Sequence, residues 1–320
     1  MAFLITGLGQ YSNLAHEICE IFPAHRAEWL TVLSENFPDG ERYHRVASQV
    51  MQRDVVIVSG TPDDATFLDL IDVSWTCARN GARSLLLVVP YLGYSTMERE
   101  GKMPGESVKA EIRVKLLSAI PHPFVSILFL DLHADGIPYY SDGMTRGFHK
   151  HAEEVILRQI HALTDGDSFA IGSTDGGRSK WVQVLADKCH VPTLVCLKTR
   201  ESGTHTTLKD IQGDANGLRV VIYDDMIRTG GSLIQAAKGY LAQGATRVDA
   251  VATHGVLPGN SAATILQSGF IDSISVTDSL PCVYKILERL PSDIQSRFQI
   301  VPIASLLAGH INQMLPGTAN

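Results

Sequence analysis

The segment Val220–Ser232 reads VVIYDDMIRTGGS and contains, in order, the patterns of a strand, a polar turn and the start of a helix. Val220–Tyr223 is a short apolar run rich in β-branched residues, which is typical of a buried strand. Glycines let backbone N–H groups approach an anion, and a helix N-terminus adds a favourable dipole, so Thr229–Ser232 predicts a phosphate site. Asp224 and Asp225 suit adjacent sugar hydroxyls. An ordinary acidic turn would explain one of these acids but not both of them before such a loop.

Other short apolar runs repeat the strand pattern along the chain, and longer stretches with helical patterns separate them. Near-continuous hydrophobicity is typical of strands that are buried on both faces of a parallel sheet. The alternation therefore predicts an α/β fold with mainly parallel sheets flanked by helices. The predicted strands are Val55–Ser59, Ser84–Val89, Val125–Leu130, Ser168–Ile171, Thr193–Leu197, Val220–Tyr223 and Arg247–Ala252.

Three of the intervening stretches have clear helical patterns: Ala65–Asn80, Ser232–Gln243 and Ala262–Ser268. Gly81 and Gly244 stand where two of these helices would end. A chain of 320 residues is long enough for two domains that each bury a core. Tyr139–Lys150 (YYSDGMTRGFHK) has little periodicity, and we expect the boundary between two similar α/β halves there.

The composition excludes several classes of function. The chain has 34 Asp and Glu residues against 27 Lys and Arg residues, a net charge of −7, which argues against nucleic acid as the main partner. Its 5 cysteines are scattered without the spacing of a zinc site, and we interpret them as reduced thiols. Met1–Gly9 lacks the basic start of a signal peptide, and no apolar run approaches the roughly 18 residues of a membrane span. We expect a cytoplasmic protein without a membrane partner.

A series of motifs resembles, in order, those of the ribose-phosphate diphosphokinases, the enzymes that make phosphoribosyl diphosphate. The Val220–Ser232 segment is similar to their phosphate loop, which type I phosphoribosyltransferases share. Each further motif alone is weak, because Pro-Asp-Gly is a common turn signal and a lone histidine at a strand end is more often structural. Their order from about Asn36 to His310 is more specific. They are Phe37–Glu41 (FPDGE), Val89–Tyr94 (VPYLGY), Asp131–Ala134 (DLHA), Ser173–Gly177 (STDGG), Ala252–Leu257 (ATHGVL), Val276–Ser279 (VTDS) and Ile303–Leu307 (IASLL).

The resemblance implies two phosphoribosyltransferase-like domains, one over residues 1–145 joined by the C-terminal segment 299–314, and one over residues 146–298. It implies a homo-oligomer, a dimer or larger. It also implies transfer of a diphosphoryl group from Mg-ATP to the C1 hydroxyl of ribose 5-phosphate, with AMP as the second product. Such a transfer depends on in-line positioning and on charge compensation, to which Mg²⁺ contributes.

The resemblance also assigns roles to residues of this chain. Asp224 and Asp225 would hold the ribose hydroxyls, and the ribose-phosphate site would include Arg228, Thr229, Gly230, Gly231 and Ser232. His133 and Asp175 would organise Mg²⁺, with His133 also beside the nucleotide phosphates. The ATP site would include Phe37, Asp39, Glu41 and Arg99, with the first three at the adenine. Lys198 and Arg200, at the start of the polar stretch 199–213, would act as catalytic cations on a mobile loop; a solvated basic turn is the alternative.

Two departures from the family pattern affect the expected substrates. Ser95–Glu100 (STMERE) replaces the family's ARQDRK, so that Thr96 and Met97 stand where an Arg and a Gln usually contact ATP. Arg228 replaces the usual Asp before Thr-Gly-Gly. A guanidinium would attract a further phosphate, which makes a larger 5-phosphate ester such as ADP-ribose an alternative acceptor. The alternative, that Arg228 is an ordinary surface arginine at a turn, is equally consistent with the sequence.

Two further hypotheses about the function stay open at this point. A non-catalytic synthetase-associated regulatory subunit would explain the replaced ATP-contact segment, although the other site residues are present. A phosphoribosyltransferase that consumes phosphoribosyl diphosphate would explain the phosphate loop, but not the chain length or the FPDGE, DLHA and STDGG motifs.

Overall fold

The structure is a computed structural model that describes residues 2–101, 103–202 and 205–315, with the backbone alone for residues 198–202 and 205–209. The described residues form two compact units, one within residues 2–151 and 304–315 and the other within residues 152–303. In this part of the chain, no helix has both the length and the apolar character needed to cross a membrane.

The first unit contains a parallel sheet and a separate hairpin. In the sheet the strands follow the order β2-β1-β5-β6-β7-β8, and every neighbouring pair is parallel. The hairpin consists of β3 and β4. The strands are β1 (Phe3–Gly7), β2 (Ala27–Trp29), β3 (Val32–Asn36), β4 (Arg42–Val46), β5 (Asp54–Val58), β6 (Ser84–Val89), β7 (Val125–Leu130) and β8 (Arg146–Lys150).

The helices that follow these strands cover the sheet. They are α1 (Ser12–Ile21), α2 (Asp64–Arg79) and α3 (Lys109–Ser118). The central strands are buried on both faces, as the continuous apolar runs of β5 and β6 predict. Asp63 caps α2 by accepting a hydrogen bond from the backbone N–H of Thr66, 2.8 Å away, which fixes where this helix starts.

The second unit is built around another mainly parallel sheet, with the order β11-β10-β9-β12-β13-β14-β15. The pair β10–β11 is antiparallel and the remaining neighbours are parallel. Its strands are β9 (Phe169–Ser173), β10 (Thr193–Ser202), β11 (His205–Gln212), β12 (Arg219–Ile227), β13 (Arg247–Gly255), β14 (Ser273–Thr277) and β15 (Phe298–Val301). Its helices are α4 (Glu153–Thr164), α5 (Ser179–Cys189), α6 (Gly231–Ala242), α7 (Ser261–Gln267), α8 (Cys282–Arg289) and α9 (Ser292–Gln295).

The last helix, α10 (Ala304–Met314), belongs to the first unit, where it packs on α1. Arg26 donates from its guanidinium to the Asn312 side chain, 2.8 Å away, and to the backbone oxygen of Leu315, 3.1 Å away. Ala304, Leu307, Ala308 and Ile311 form the buried face of the helix. The helix α10 is therefore part of the first unit, although the second unit precedes it in sequence.

The predicted α/β class with mainly parallel sheets is confirmed, and each predicted strand and helix has a counterpart within a few residues. The two units divide after His151 and after Ile303, with β8 paired to β7 in the first unit and β15 paired to β14 in the second. The domain bounds 1–145 with 299–314, and 146–298, stay a prediction. Within the stretch 199–213, which was expected to be a mobile loop, residues 199–202 belong to β10 and residues 205–212 to β11, and the backbones of these strands pair in an antiparallel ladder.

Candidate functional site

The phosphate loop connects β12 to α6 at the carboxyl edge of the second sheet. The strand extends through both acids to Ile227, and the helix begins at Gly231. Gly230 has φ +81° and ψ 1°, the left-handed conformation that glycine adopts at no steric cost, and this turns the chain into the helix. The first backbone N–H groups of α6 have no partner within the helix, so they are available to an anion.

A pocket of about 240 Å³ opens at this loop. It brings together the loop, the start of α6, the end of β12 and one residue after β9. Its lining therefore combines backbone donors and hydroxyls at one side with a carboxylate at another. The lining residues are Thr174, Asp224, Met226, Ile227, Arg228, Thr229, Gly230, Gly231, Ser232 and Leu233.

The two acids differ in their surroundings. The Asp224 side chain is 21% exposed and accepts a hydrogen bond from the Thr174 hydroxyl, 2.8 Å from Oδ2. The Asp225 side chain is only 4% exposed, and it faces the guanidinium of Arg178. Nε of Arg178 donates to Oδ1 of Asp225 at 3.1 Å, and Nη2 pairs with Oδ2. The same Nε lies 3.7 Å from Oδ1 of Asp224.

This cluster shifts the protonation equilibria of its members. Burial and the neighbouring Asp225 carboxylate raise the pKa of Asp224 well above its ordinary value, with Thr174 and Arg178 opposing that shift. Burial would lower the pKa of Arg178, but the two carboxylates outweigh it and raise that pKa instead. The sequence motifs did not predict Arg178 as a residue of this site. The available signal was its position immediately after the STDGG turn, at the end of a strand adjacent to β12.

Asp175 lies in the turn that follows β9. Its Oδ1 accepts a hydrogen bond from the backbone N–H of Gly177, 2.9 Å away, which begins the short helical turn Gly176–Arg178. Within the described parts of the chain, no hydrogen bond uses Oδ2 of Asp175. A hard cation such as Mg²⁺ prefers carboxylate oxygens and retains several waters, so this half-buried acid fits it.

His133 lies in an exposed turn after β7 in the first unit. Two neighbouring hydrogen bonds define that turn. The backbone N–H of Leu132 donates to Nε2 of His149 at 2.9 Å, which leaves the proton on Nδ1, 3.2 Å from Oδ1 of Asp135. Nδ1 of His151 lies 2.9 Å from Oδ1 of Asp131.

The His149, His151 and Asp131 side chains lie at the ends of the paired strands β7 and β8, and their candidate ligand atoms all lie within 4.8 Å of one another. The His149 nitrogen nearest the turn already accepts from the backbone of Leu132. We therefore interpret this cluster as a support for the turn that presents His133.

The residues predicted to bind adenine form the tip of the β3–β4 hairpin. Phe37 is 40% exposed, and its ring centre lies 5.9 Å from that of Tyr43. Asp39 accepts from the backbone N–H of Glu41 at 3.1 Å. The base of the hairpin is attached to α2, because Arg42 and His44 both bond to the buried Asp69, at 2.5 and 3.1 Å.

The other predicted ATP contact, Arg99, is 85% exposed, with Nε 3.4 Å from Oε1 of Glu98. Lys198 and Arg200 lie on β10, but their side chains fall outside the described part of the structure. In the second unit, the structure thus brings Asp224, Arg228 and Thr229–Ser232 together in one pocket. Asp225 lies beside that pocket.

Comparison with known families agrees with this architecture. Residues 3–120 match the N-terminal domain of ribose phosphate pyrophosphokinase, and residues 176–317 match the phosphoribosyl synthetase-associated domain. A ribose-phosphate pyrophosphokinase of Methanopyrus kandleri is 31% identical, over 83% of this chain and 89% of its own length. A ribose-phosphate pyrophosphokinase of Bradyrhizobium diazoefficiens is 28% identical, over 86% of this chain and 84% of its own.

A solved structure has the same fold. The phosphoribosylpyrophosphate synthetase of Mycobacterium smegmatis superimposes with a TM-score of 0.84, covering 98% of this chain and 99% of that protein. At 23% identity, this likeness shows the fold.

Proposed function

The chain belongs to the ribose-phosphate pyrophosphokinase family, and from this membership we propose that it transfers a diphosphoryl group from ATP to the 1-hydroxyl of ribose 5-phosphate. The products are phosphoribosyl diphosphate and AMP. The pocket at the β12–α6 loop carries this proposal, because it places an anion-binding helix start and the Asp224 carboxylate in one cavity. A ribose 5-phosphate has the complementary pair, a phosphate at one end and hydroxyls at the other.

The transfer forms one P–O bond and breaks another. The 1-hydroxyl oxygen attacks the β-phosphorus of ATP, the bond from that phosphorus to the α,β-bridging oxygen breaks, and AMP leaves. The 1-hydroxyl proton is released. Because the nucleophile and the electrophile are both supplied by the substrates, the protein contributes position and charge compensation.

For the acceptor, we assign the 5-phosphate to the first turn of α6. Thr229, Gly230, Gly231 and Ser232 line the pocket there, and residues of these types offer hydroxyls and unobstructed backbone N–H groups to a phosphate. Asp224, with Asp225 beside it, provides the acidic side toward the ribose hydroxyls. In this orientation the 1-hydroxyl points away from the phosphate loop. The nucleotide would have to bind on the side to which the 1-hydroxyl points.

For ATP, we assign the adenine to Phe37, Asp39 and Glu41 at the exposed hairpin tip and place Arg99 near the phosphates. An exposed ring on a hairpin that is attached to α2 through Asp69 is available for stacking without unfolding any of the core. Lys198 and Arg200 would stabilise negative charge on the transferring group.

We propose Asp175 as a ligand of Mg²⁺, which when bound would compensate charge on the polyphosphate. His133, in the first unit, stays a predicted ligand of Mg²⁺. The fit rests on the Oδ2 atom of Asp175, which the turn leaves available. A homo-oligomer and a cytoplasmic location remain predictions from the sequence.

The test is mass spectrometry of purified protein incubated with ATP, Mg²⁺ and ribose 5-phosphate. AMP and phosphoribosyl diphosphate should form in equal amounts and only when both substrates are present. ADP together with a ribose bisphosphate, which would show transfer of one phosphoryl group instead of two, or no product from any acceptor, would contradict the proposed transfer. The second of these results would favour a regulatory subunit.

One observation favours a second acceptor. Arg228 lines the same pocket as Thr229–Ser232 and is exposed, with its charge next to the proposed 5-phosphate site. A guanidinium can bind a second phosphate, so the pocket also suits a 5-diphosphate ester such as ADP-ribose. The reaction at the 1-hydroxyl would be unchanged.

The Arg228→Asp variant separates the two acceptors. If Arg228 binds the second phosphate, the variant loses turnover with ADP-ribose and retains it with ribose 5-phosphate. Arg289→Asp, the same charge change on an exposed arginine of α8, is the matched control and should leave both rates unchanged. Equal turnover of both acceptors by the Arg228→Asp variant would remove the basis for the larger substrate.

A further inference from the structure

Arg178 makes an ion pair in the acceptor site that the sequence motifs do not include. The short turn Gly176–Arg178 begins at Asp175 and brings the guanidinium against the end of β12. Two of its nitrogens, Nε and Nη2, meet the two oxygens of Asp225, and the side chain is only 19% exposed. A planar, partly buried fork on one carboxylate has a fixed geometry, unlike an exposed ion pair.

The two acids have unequal access to the pocket. Asp224 lines the pocket, whereas Asp225 is buried at 3% exposure and is not among the residues that line it. Asp224 is oriented by the Thr174 hydroxyl on Oδ2 and by the backbone N–H of Asp225 on Oδ1, at 2.8 and 2.9 Å. Both of these donors are neutral, and the exposed part of Asp224 faces the cavity.

Adjacent carboxylates in a partly buried site repel each other, and a shared proton is the usual result. A proton on Asp224 would remove an acceptor where a sugar hydroxyl needs one. A guanidinium on Asp225 supplies the missing positive charge without occupying the pocket. This division of roles depends on Arg178 pairing with Asp225 more closely than with Asp224, as the distances of 3.1 and 3.7 Å from its Nε show.

We propose that Arg178 is a positioning residue of the acceptor site, which holds Asp225 in a fixed ion pair so that Asp224 alone accepts hydrogen bonds from the ribose hydroxyls. This inference rests on the proposed function, since it assumes a ribose 5-phosphate unit in the pocket. It goes further by giving the two acids different roles and by assigning a third residue to their control.

Among the residues whose side chains the structure describes, few charged or titratable groups surround the pair. Arg178 reaches it from the Gly176–Arg178 turn, and Tyr223 lies on β12 itself and interacts electrostatically with Arg178. On the adjacent strand β13, His254 is buried and its Nδ1 lies 2.8 Å from the Ser279 hydroxyl. Thr174 faces Asp224 from the end of β9 as a neutral hydroxyl.

The experiment measures ribose 5-phosphate binding by isothermal titration calorimetry between pH 6 and pH 9, and compares it with binding of 2-deoxyribose 5-phosphate, which lacks one hydroxyl. The variants are Arg178→Met, Asp225→Asn and the double variant Arg178→Met/Asp225→Asn. Circular dichroism of each variant reports folding. The double variant removes both members of the buried pair, so it leaves no buried charge without a partner.

For Arg178→Met, we expect at least tenfold weaker binding near neutral pH and recovery as the pH rises, because one unit of pKa shift on Asp224 changes its ionised fraction by about tenfold. Asp225→Asn should also bind weakly, because Arg178 is then left to pair with Asp224. The double variant should bind within about threefold of the wild type and should retain the preference for ribose over 2-deoxyribose, since coupled residues compensate in a double-mutant cycle.

A double variant as weak as Arg178→Met would overturn the inference, because it would show that Arg178 contacts the ligand itself. A pH profile unchanged in Arg178→Met would overturn it as well. Failure of the proposed function has a different signature: the wild-type protein would bind neither sugar phosphate at any pH. In that case the comparison among variants would show no effect of Arg178, and the inference would fall with it.

Discussion

Gly230 lies directly against Ile265: a Cβ built on this glycine would overlap Cγ1 and Cδ1 of that side chain, which is fully buried in α7. The same glycine has φ +81°, so both its backbone conformation and its packing require the absence of a side chain. We expect Gly230→Ala to lower the free energy of unfolding by about 1–3 kcal/mol and to raise the KM for ribose 5-phosphate. Urea denaturation and initial-rate kinetics measure the two effects.

Gly231→Ala is the matched control. A Cβ at position 231 has open space around it, and in the first turn of a helix alanine is preferred to glycine. Its stability should therefore equal or exceed that of the wild type. If Gly231→Ala destabilised the fold as much as Gly230→Ala, the contact with Ile265 would not explain the requirement for glycine.

The Val220–Ser232 segment shows what local pattern can predict and where it stops. The strand, the loop and the helix were all predicted, because hydrophobicity and glycine position are local signals. The strand was expected to end at Tyr223 and instead continues to Ile227, since the backbone of β12 pairs with β13 through Met226 and Ile227. The partner of Asp225, Arg178, lies at the end of a different strand, and no local period predicts that contact.

Edge strands were the second feature that the sequence pattern did not predict. β8 pairs with β7 on one side, and its RGFHK sequence is partly exposed, so it lacks the continuous apolar run by which the buried strands were found. Histidines 149 and 151 were therefore not linked to the DLHA motif. Their contacts with Leu132 and Asp131 depend on the parallel pairing of β7 and β8.

The exposed ring of Phe37 gives a prediction for the nucleotide. Base–aromatic stacking contributes about 1–3 kcal/mol, so Phe37→Ala should raise the KM for ATP roughly tenfold while the KM for ribose 5-phosphate stays constant. Because the side chain is 40% exposed, the melting temperature should not change. Phe124→Ala, at a phenylalanine that is 62% exposed just before β7, should leave both KM values unchanged. Equal KM values for ATP in the wild type and in Phe37→Ala would place the adenine elsewhere.

A buried ion-pair network stabilises the second sheet at the edge opposite the phosphate loop. Asp249 is fully buried and accepts from Arg219 at 2.8 Å and from the Ser273 hydroxyl at 2.5 Å, and Arg247 lies 3.1 Å away. Asp249→Ala would leave the buried Arg219 with one carboxylate partner, Asp167 at 2.8 Å, and we expect a cost of about 3 kcal/mol in unfolding free energy, at the lower end for a broken buried pair. Glu154→Ala removes an exposed partner of Arg158 and should cost no more than about 0.5 kcal/mol. Chemical denaturation distinguishes these values, and similar losses in both variants would contradict the role of burial.

The two adjacent acids of the acceptor site should respond oppositely to the same substitution. The raised pKa of Asp224 means that its protonated form favours folding, so this contribution is lost as the pH rises from the ordinary carboxyl range through the raised value. Asp224→Asn stays neutral, and it should therefore be more stable than the wild type above that window and equally stable below it. Asp225→Asn removes the carboxylate that pairs with the guanidinium of Arg178, and this variant should be less stable than the wild type by about 3 kcal/mol.

Urea denaturation at pH 5 and at pH 8 compares the unfolding free energies of the two variants with that of the wild type. If Asp224→Asn lost the same stability at both pH values, the hydrogen bond with Thr174 would determine the contribution of Asp224 to the unfolding free energy. The cost of burying its charge would then not determine that contribution. The opposite signs, if observed, would mean that the acceptor site retains an ionised Asp224 at the expense of stability, and that Asp225 and Arg178 limit that cost.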